Sequence, residues 1–257
     1  MHVVSTVISG LRPRRWLLPA LLALAVAGCK NETETVAPTD TSYYQLQVGS
    51  YRIYEVTDTT WSNYIRTSQP RFQFRERVEE KYTDAAGRLA YRVVRARRNS
   101  PADTWRDDSV LVVSPSASNV LMTRNNRRIV ELVYPVRTGY FWNLNAFNEQ
   151  NPVGKADFHY KQVGEPFTTT TAAGQATTYP KTVMTALRET AAEEGGEYIN
   201  AFYYLRDRQV YASGVGPVYK SRRRFIYCQP GNGNCVPDPA RVYSGAVRTE
   251  ILVESGR

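Results

Sequence analysis

Between Arg71 and Tyr82 the chain reads RFQFRERVEEKY, with Phe72, Phe74, Val78 and Tyr82 on one parity and Arg71, Gln73, Arg75, Arg77, Glu79 and Lys81 on the other. A period of two puts successive side chains on opposite sides of an extended chain, so the stretch predicts a strand with one face on a core and one in water. Asp84-Ala-Ala-Gly87 supplies a turn, and Arg88–Arg98 (RLAYRVVRARR) returns as the antiparallel partner.

The pattern recurs at Ser50–Thr60, Thr104–Ser114, Val120–Arg124, Arg128–Tyr134, Asp157–Val163, Thr182–Thr190, Glu197–Leu205, Val215–Tyr227 and Arg241–Glu254. These segments are rich in Tyr, Val, Thr and Ile and are divided by Gly, Pro, Asn and Asp clusters. About ten to twelve short antiparallel strands with no amphipathic helix predict an all-β fold, a half-barrel or a sandwich. No fixed period marks a propeller or solenoid. Residues 135–156 lack clear alternation yet hold Tyr140, Phe141, Trp142 and Phe147, which suits a loop packed on the sheet, a lid or a binding loop.

Composition narrows the class. The chain has 257 residues, 42% hydrophobic and 12% aromatic, with 18 Tyr and only 3 Cys and 2 His. That excludes a disordered tail, a collagen-like repeat and a disulfide-dense mini-protein.

The N-terminus carries an address. Arg12, Arg14 and Arg15 precede the uncharged run Trp16–Gly28, and Cys29 follows. A membrane-spanning helix needs about 20 apolar residues, so this run is too short and predicts the hydrophobic region of an export signal. Val26-Ala-Gly-Cys29 resembles the lipobox of bacterial lipoproteins. The resemblance implies removal of residues 1–28, acylation of Cys29, a polar tether over 29–42 and one β-rich domain over 43–257. Several acyl chains on one Cys would tether the domain stably to a membrane without crossing it. Lys30 in place of an aspartate implies the outer membrane, on its periplasmic or its cell-surface face. Such a mature chain keeps 30 basic against 24 acidic residues.

Three further stretches, Tyr43–Tyr54, Tyr134–Trp142 with Asn145–Asn148, and Tyr211–Tyr219, together resemble a family of Bacteroidota outer-membrane lipoproteins. The last stretch also resembles the late strands of half-barrel lipoproteins of the Lol-carrier type, whose concave face holds acyl chains. These likenesses imply architecture and carry over no catalytic residue. Pro217 and the basic Ser221–Arg224 depart from the commoner pattern.

Tests for chemistry return little. Beyond the signal the only histidine is His159, within Asp157-Phe-His-Tyr160, and no Gly-x-Ser-x-Gly elbow occurs. Glu79-Glu80 and Asp107-Asp108 sit in strand patterns, where neighbours point to opposite faces, and Glu193-Glu194-Gly-Gly reads as a turn. Cys228 and Cys235 enclose a short loop and predict a disulfide in an oxidising envelope rather than a zinc site, which needs four ligands. No phosphate loop, dinucleotide fingerprint or calcium loop supports a cofactor. Arg92, Arg95, Arg97, Arg98 and Arg222–Arg224 could form a stripe for anionic headgroups, or simply a solvated strand face.

The expectation is therefore a non-catalytic, lipid-anchored β-domain that binds an apolar ligand or an envelope protein partner and no nucleic acid. Phe72, Phe74, Trp142 and Phe147 are the candidate ligand-facing residues, lining an open apolar concavity. The alternatives are a structural or interaction module with a filled interior, and an envelope hydrolase working through His159 or distant carboxylates.

Overall fold

The computed structural model describes residues 40–148, 156–188, 198–229 and 231–257. Cys29 and Glu193-Glu194 lie outside the described residues. A 3-10 turn, η1 (Ser42–Tyr44), is followed by β1 (Tyr51–Ser62), β2 (Ile65–Ser68), β3 (Phe72–Thr83), β4 (Leu89–Arg98) and β5 (Arg106–Pro115). Next come β6 (Asn119–Arg124), β7 (Arg127–Val133), β8 (Phe141–Asn143), β9 (Asp157–Lys161), β10 (Phe167–Thr170) and β11 (Ala176–Tyr179). The last five are β12 (Thr182–Leu187), β13 (Tyr198–Ile199), β14 (Tyr203–Ala212), β15 (Gly216–Ile226) and β16 (Ser244–Gly256).

The fold is all-β. Twelve strands form one antiparallel path, β7-β6-β5-β4-β3-β1-β16-β15-β14-β12-β9-β8, with β2 on β1, β13 on β14, and β10–β11 as a separate hairpin. The ends of the path meet. The Val130 amide of β7 donates to the Leu144 carbonyl just past β8 at 2.9 Å. Trp142 Nε1 donates to the Val130 carbonyl at 2.9 Å, and the Tyr160 hydroxyl of β9 donates to the Val133 carbonyl at 2.6 Å and accepts from the Val133 amide. The sheet is thus nearly closed into a barrel. Side chains satisfy backbone groups that would otherwise be exposed at the β7 edge.

The hairpin read from residues 71–98 is present as β3 and β4, and Val78 lies opposite Val93. The strand expected over Glu197–Leu205 is displaced: β14 runs from Tyr203 to Ala212. In the barrel Asp207 faces Arg222 and Gln209 faces Lys220 across the β14–β15 ladder, so polar residues are at home on this interior face. The region 135–156 contains β8, and the threonine-rich β10–β11 hairpin carries no alternating hydrophobic signal.

One end of the barrel is closed by the segment that leads into β1. Tyr43 and Tyr44 of η1 are buried in a core with Val93, Leu111, Val130, Trp142 and Tyr160. Ser42 holds the β14–β15 turn through Ser213 Oγ at 2.7 Å and through its carbonyl, which accepts from the Gly214 amide. Arg52 donates to the Gln45 and Val215 carbonyls. Gly216, with φ of +97°, passes so close that an added Cβ would sit 2.8 Å from the Arg52 guanidinium.

Candidate functional site

An eight-stranded barrel is just wide enough for side chains to fill, so twelve strands leave a lumen unless something plugs it. Here η1 and its core occupy one half, and a cavity of about 600 Å³ occupies the other. Tyr44, Tyr54 and Pro217 lie at its inner end, where the Tyr54 hydroxyl donates to the Pro217 carbonyl at 3.1 Å. Thr60, Arg224 and Ala246, adjacent in register across β1, β16 and β15, mark the outer end. Arg222 and Arg224 are exposed while lining this cavity, so it is open to solvent there.

The lining has two unlike walls. Leu111 of β5, Met122 of β6, Ile129 of β7 and Leu144 after β8 form an apolar wall, flanked on β6 and β7 by Arg124, Arg127 and Glu131. Lys220, Arg222 and Arg224, at alternate positions on one face of β15, form a basic wall together with Arg248 of β16. Strand geometry spaces the three β15 side chains by roughly 7 Å each. Arg223, between them in sequence, points the other way.

Most of the charges are matched. Arg95 donates to Glu76 through Nε at 3.0 Å and also reaches Glu250 at 3.4 Å, all three being buried. Burial alone would raise the Glu76 carboxyl, but the adjacent Arg95 outweighs it and holds Glu76 below the usual carboxylate range. Burial likewise opposes the charge on Arg95, and Glu76 and Glu250 overcome it. Arg222 donates to Asp207 at 2.7 Å, Arg248 to Asp58 at 3.2 Å and Arg124 to Asp108 at 3.3 Å. The Tyr211 hydroxyl, whose proton burial and then the Glu131 charge hold tightly, donates to Glu131 at 2.7 Å. Among the described residues Lys220 and Arg224 have no carboxylate within ion-pair distance, and Arg127 is held only by Asn145 Oδ1 at 3.1 Å.

The four aromatic residues expected at a concavity do not come together. Phe72 and Phe74 are buried in the second core cluster, with Arg97 over the first ring at 3.9 Å and Arg95 over the second at 4.6 Å. Trp142 is buried in the first core, and Phe147 is exposed. None of them lines the cavity. Its apolar wall instead uses Leu111, Met122, Ile129 and Leu144, which no local motif marks. Leu111 sits in an apolar run that is read as buried but not as ligand-facing, and the wall emerges only from cross-strand register.

Cys228 and Cys235 form a disulfide, as their spacing predicts. His159 is half-buried on β9, opposite Phe141 and Ala186. Glu79 is taken up by Arg77 and Arg92, and Asp108 by Arg124. A wider depression of about 740 Å³ lies at the closed end between η1, the β5–β6 turn and the C-terminus, with much of its wall formed by loop residues such as Gln47, Ser116 and Ala117. No helix among the described residues is long and apolar enough to cross a membrane.

No protein-family model matches the chain, and no curated protein matches it. Among solved structures it is similar to a candidate lipoprotein from Parabacteroides distasonis ATCC 8503, with a TM-score of 0.38 and 12% identity, covering 83% of this chain and 98% of that one.

Proposed function

We propose that this chain is a lipid-anchored protein of the bacterial outer membrane whose β-barrel domain is non-catalytic and carries a ligand with an apolar part in its lumen. The carrying observation is the cavity of about 600 Å³ with the Leu111, Met122, Ile129 and Leu144 wall. A lumen lined this way, reached from one end and closed at the other by Tyr43 and Tyr44, has the volume and apolar contact typical of small-molecule sites. The lipobox-like Val26–Cys29 and the resemblance of Tyr43–Tyr54 and Tyr211–Tyr219 to Bacteroidota lipoproteins support the envelope location and the anchor. His159, Glu79 and Asp108 lie on strands, the two carboxylates in ion pairs with arginines, which supports binding over hydrolysis.

The test is native mass spectrometry of the full chain extracted from the envelope. A stoichiometric small-molecule adduct lost on organic extraction, and lost also in Ala246→Trp at the cavity mouth, supports the reading. A clean unliganded mass after incubation with envelope lipids overturns it and favours an interaction module.

A further inference from the structure

We infer that the lumen selects an anionic amphiphile, with its acyl or alkyl chain on the Leu111–Met122–Ile129–Leu144 wall and its anionic group held by Lys220 or Arg224. The inference rests on the ligand-carrying reading above and specifies its chemistry.

Three observations carry it. The apolar residues lie on β5–β8, where Arg124, Arg127 and Glu131 also line the cavity, and Lys220, Arg222, Arg224 and Arg248 lie on β15–β16 of the same strand path. A purely apolar ligand would leave the basic wall with no counterpart, and a purely polar one would leave the apolar wall wet.

The basic wall also holds cations in excess of their partners. Arg222, Arg248 and Arg124 each have an aspartate, whereas Lys220 and Arg224 have no ion-pair partner among the described residues. They flank Arg222 on the same face, one on each side along β15. Lys220 lies opposite Glu250 in register and is near enough to Glu76 to help hold its charge, yet Arg95 already engages both carboxylates. A phosphate or carboxylate arriving on this face meets Lys220 on one side of Arg222 or Arg224 on the other, and neither need break an existing ion pair.

The position is graded as well. Tyr54 and Pro217 stand at the inner end and Arg224 at the solvent-exposed end of the same strand face. A chain can therefore enter deeply while its charged group stays near water, where the desolvation cost of the anion is lowest. Carboxylate and phosphate amphiphiles share this chemistry.

The experiment uses the full chain in lipid nanodiscs, with empty nanodiscs as the partition control, and titrates dodecyl phosphate, dodecanoate, dodecanol and glycerol phosphate. The expected result is that both dodecyl anions bind at least about tenfold more tightly than dodecanol. Lys220→Gln/Arg224→Gln should lose about that tenfold for the anions alone, and Arg223→Gln on the outer face should lose nothing. Whichever anion binds more tightly identifies the headgroup source. Equal binding of anions and dodecanol, or no effect of the double variant, overturns the inference and leaves ligand carriage standing. Glycerol phosphate binding as tightly as dodecyl phosphate overturns the amphiphile. Binding of none of the probes overturns the ligand-carrying reading itself.

Discussion

The Tyr211 hydroxyl on β14 donates to a Glu131 carboxylate oxygen on β7 at 2.7 Å, across a sequence separation of 80. Along the strand path β12, β9 and β8 separate these two strands, so the bond spans the join where the sheet returns on itself. Both residues are buried, and each would be costly without the other. Tyr211→Phe keeps the ring and removes only the donor, so it should cost about 1–3 kcal/mol. Urea unfolding checks this, as a lower midpoint at unchanged slope.

The join itself is testable. Tyr160 both donates to and accepts from Val133, which makes it a side-chain clasp between β9 and the β7 edge. Tyr160→Phe should therefore speed amide hydrogen exchange at Val133 and its β7 neighbours more than in β1 or β16. A uniform change across the barrel would mean the clasp has no local role.

Acid should weaken the fold through Glu76. Its folded-state value is lower than the ordinary 4.5, so its stabilising contribution is fully present above that value and is lost as pH falls through the folded-state value. Glu76→Gln should flatten stability against pH below about pH 4.5. Arg95→Met is the harsher change, because it strands two buried carboxylates, and should cost about 3–5 kcal/mol at neutral pH. Denaturant midpoints measured across the acid range check both.

The Cys228–Cys235 bridge closes a loop seven residues apart, immediately after β15. On the chain-entropy estimate its loss should cost about 2–3 kcal/mol. Reduction, or Cys228→Ser/Cys235→Ser, should lower the melting temperature without altering dodecyl phosphate binding, since neither cysteine lines the lumen.

Much of the architecture is legible residue by residue, and the site is less so. Alternation fixes β3 and β4 because half of each strand faces a core, and the turn at Asp84–Gly87 is written in its Asp and Gly. The same logic misplaces β14, because a barrel lumen lets Asp207 and Gln209 point inward among arginines where a filled core would reject them. It also selects the largest aromatics as ligand-facing. Phe72, Phe74 and Trp142 are instead spent on packing, and the lumen wall falls to Leu111, Met122, Ile129 and Leu144, four residues brought together only by register. Arg222 and Arg224 read first as a solvated strand face and second as part of an anion stripe, and only closure of the sheet puts them on the lumen side.

The central claim is that the ligand lies inside the barrel. Nuclear magnetic resonance of the methyl-labelled full chain with nitroxide-bearing dodecanoate tests it most directly. The account predicts selective broadening of the Leu111, Met122, Ile129 and Leu144 methyl signals, with Ile65 and Ile199 on the outer surface spared. Broadening of Ile65 and Ile199 with the lumen methyls unchanged would contradict it.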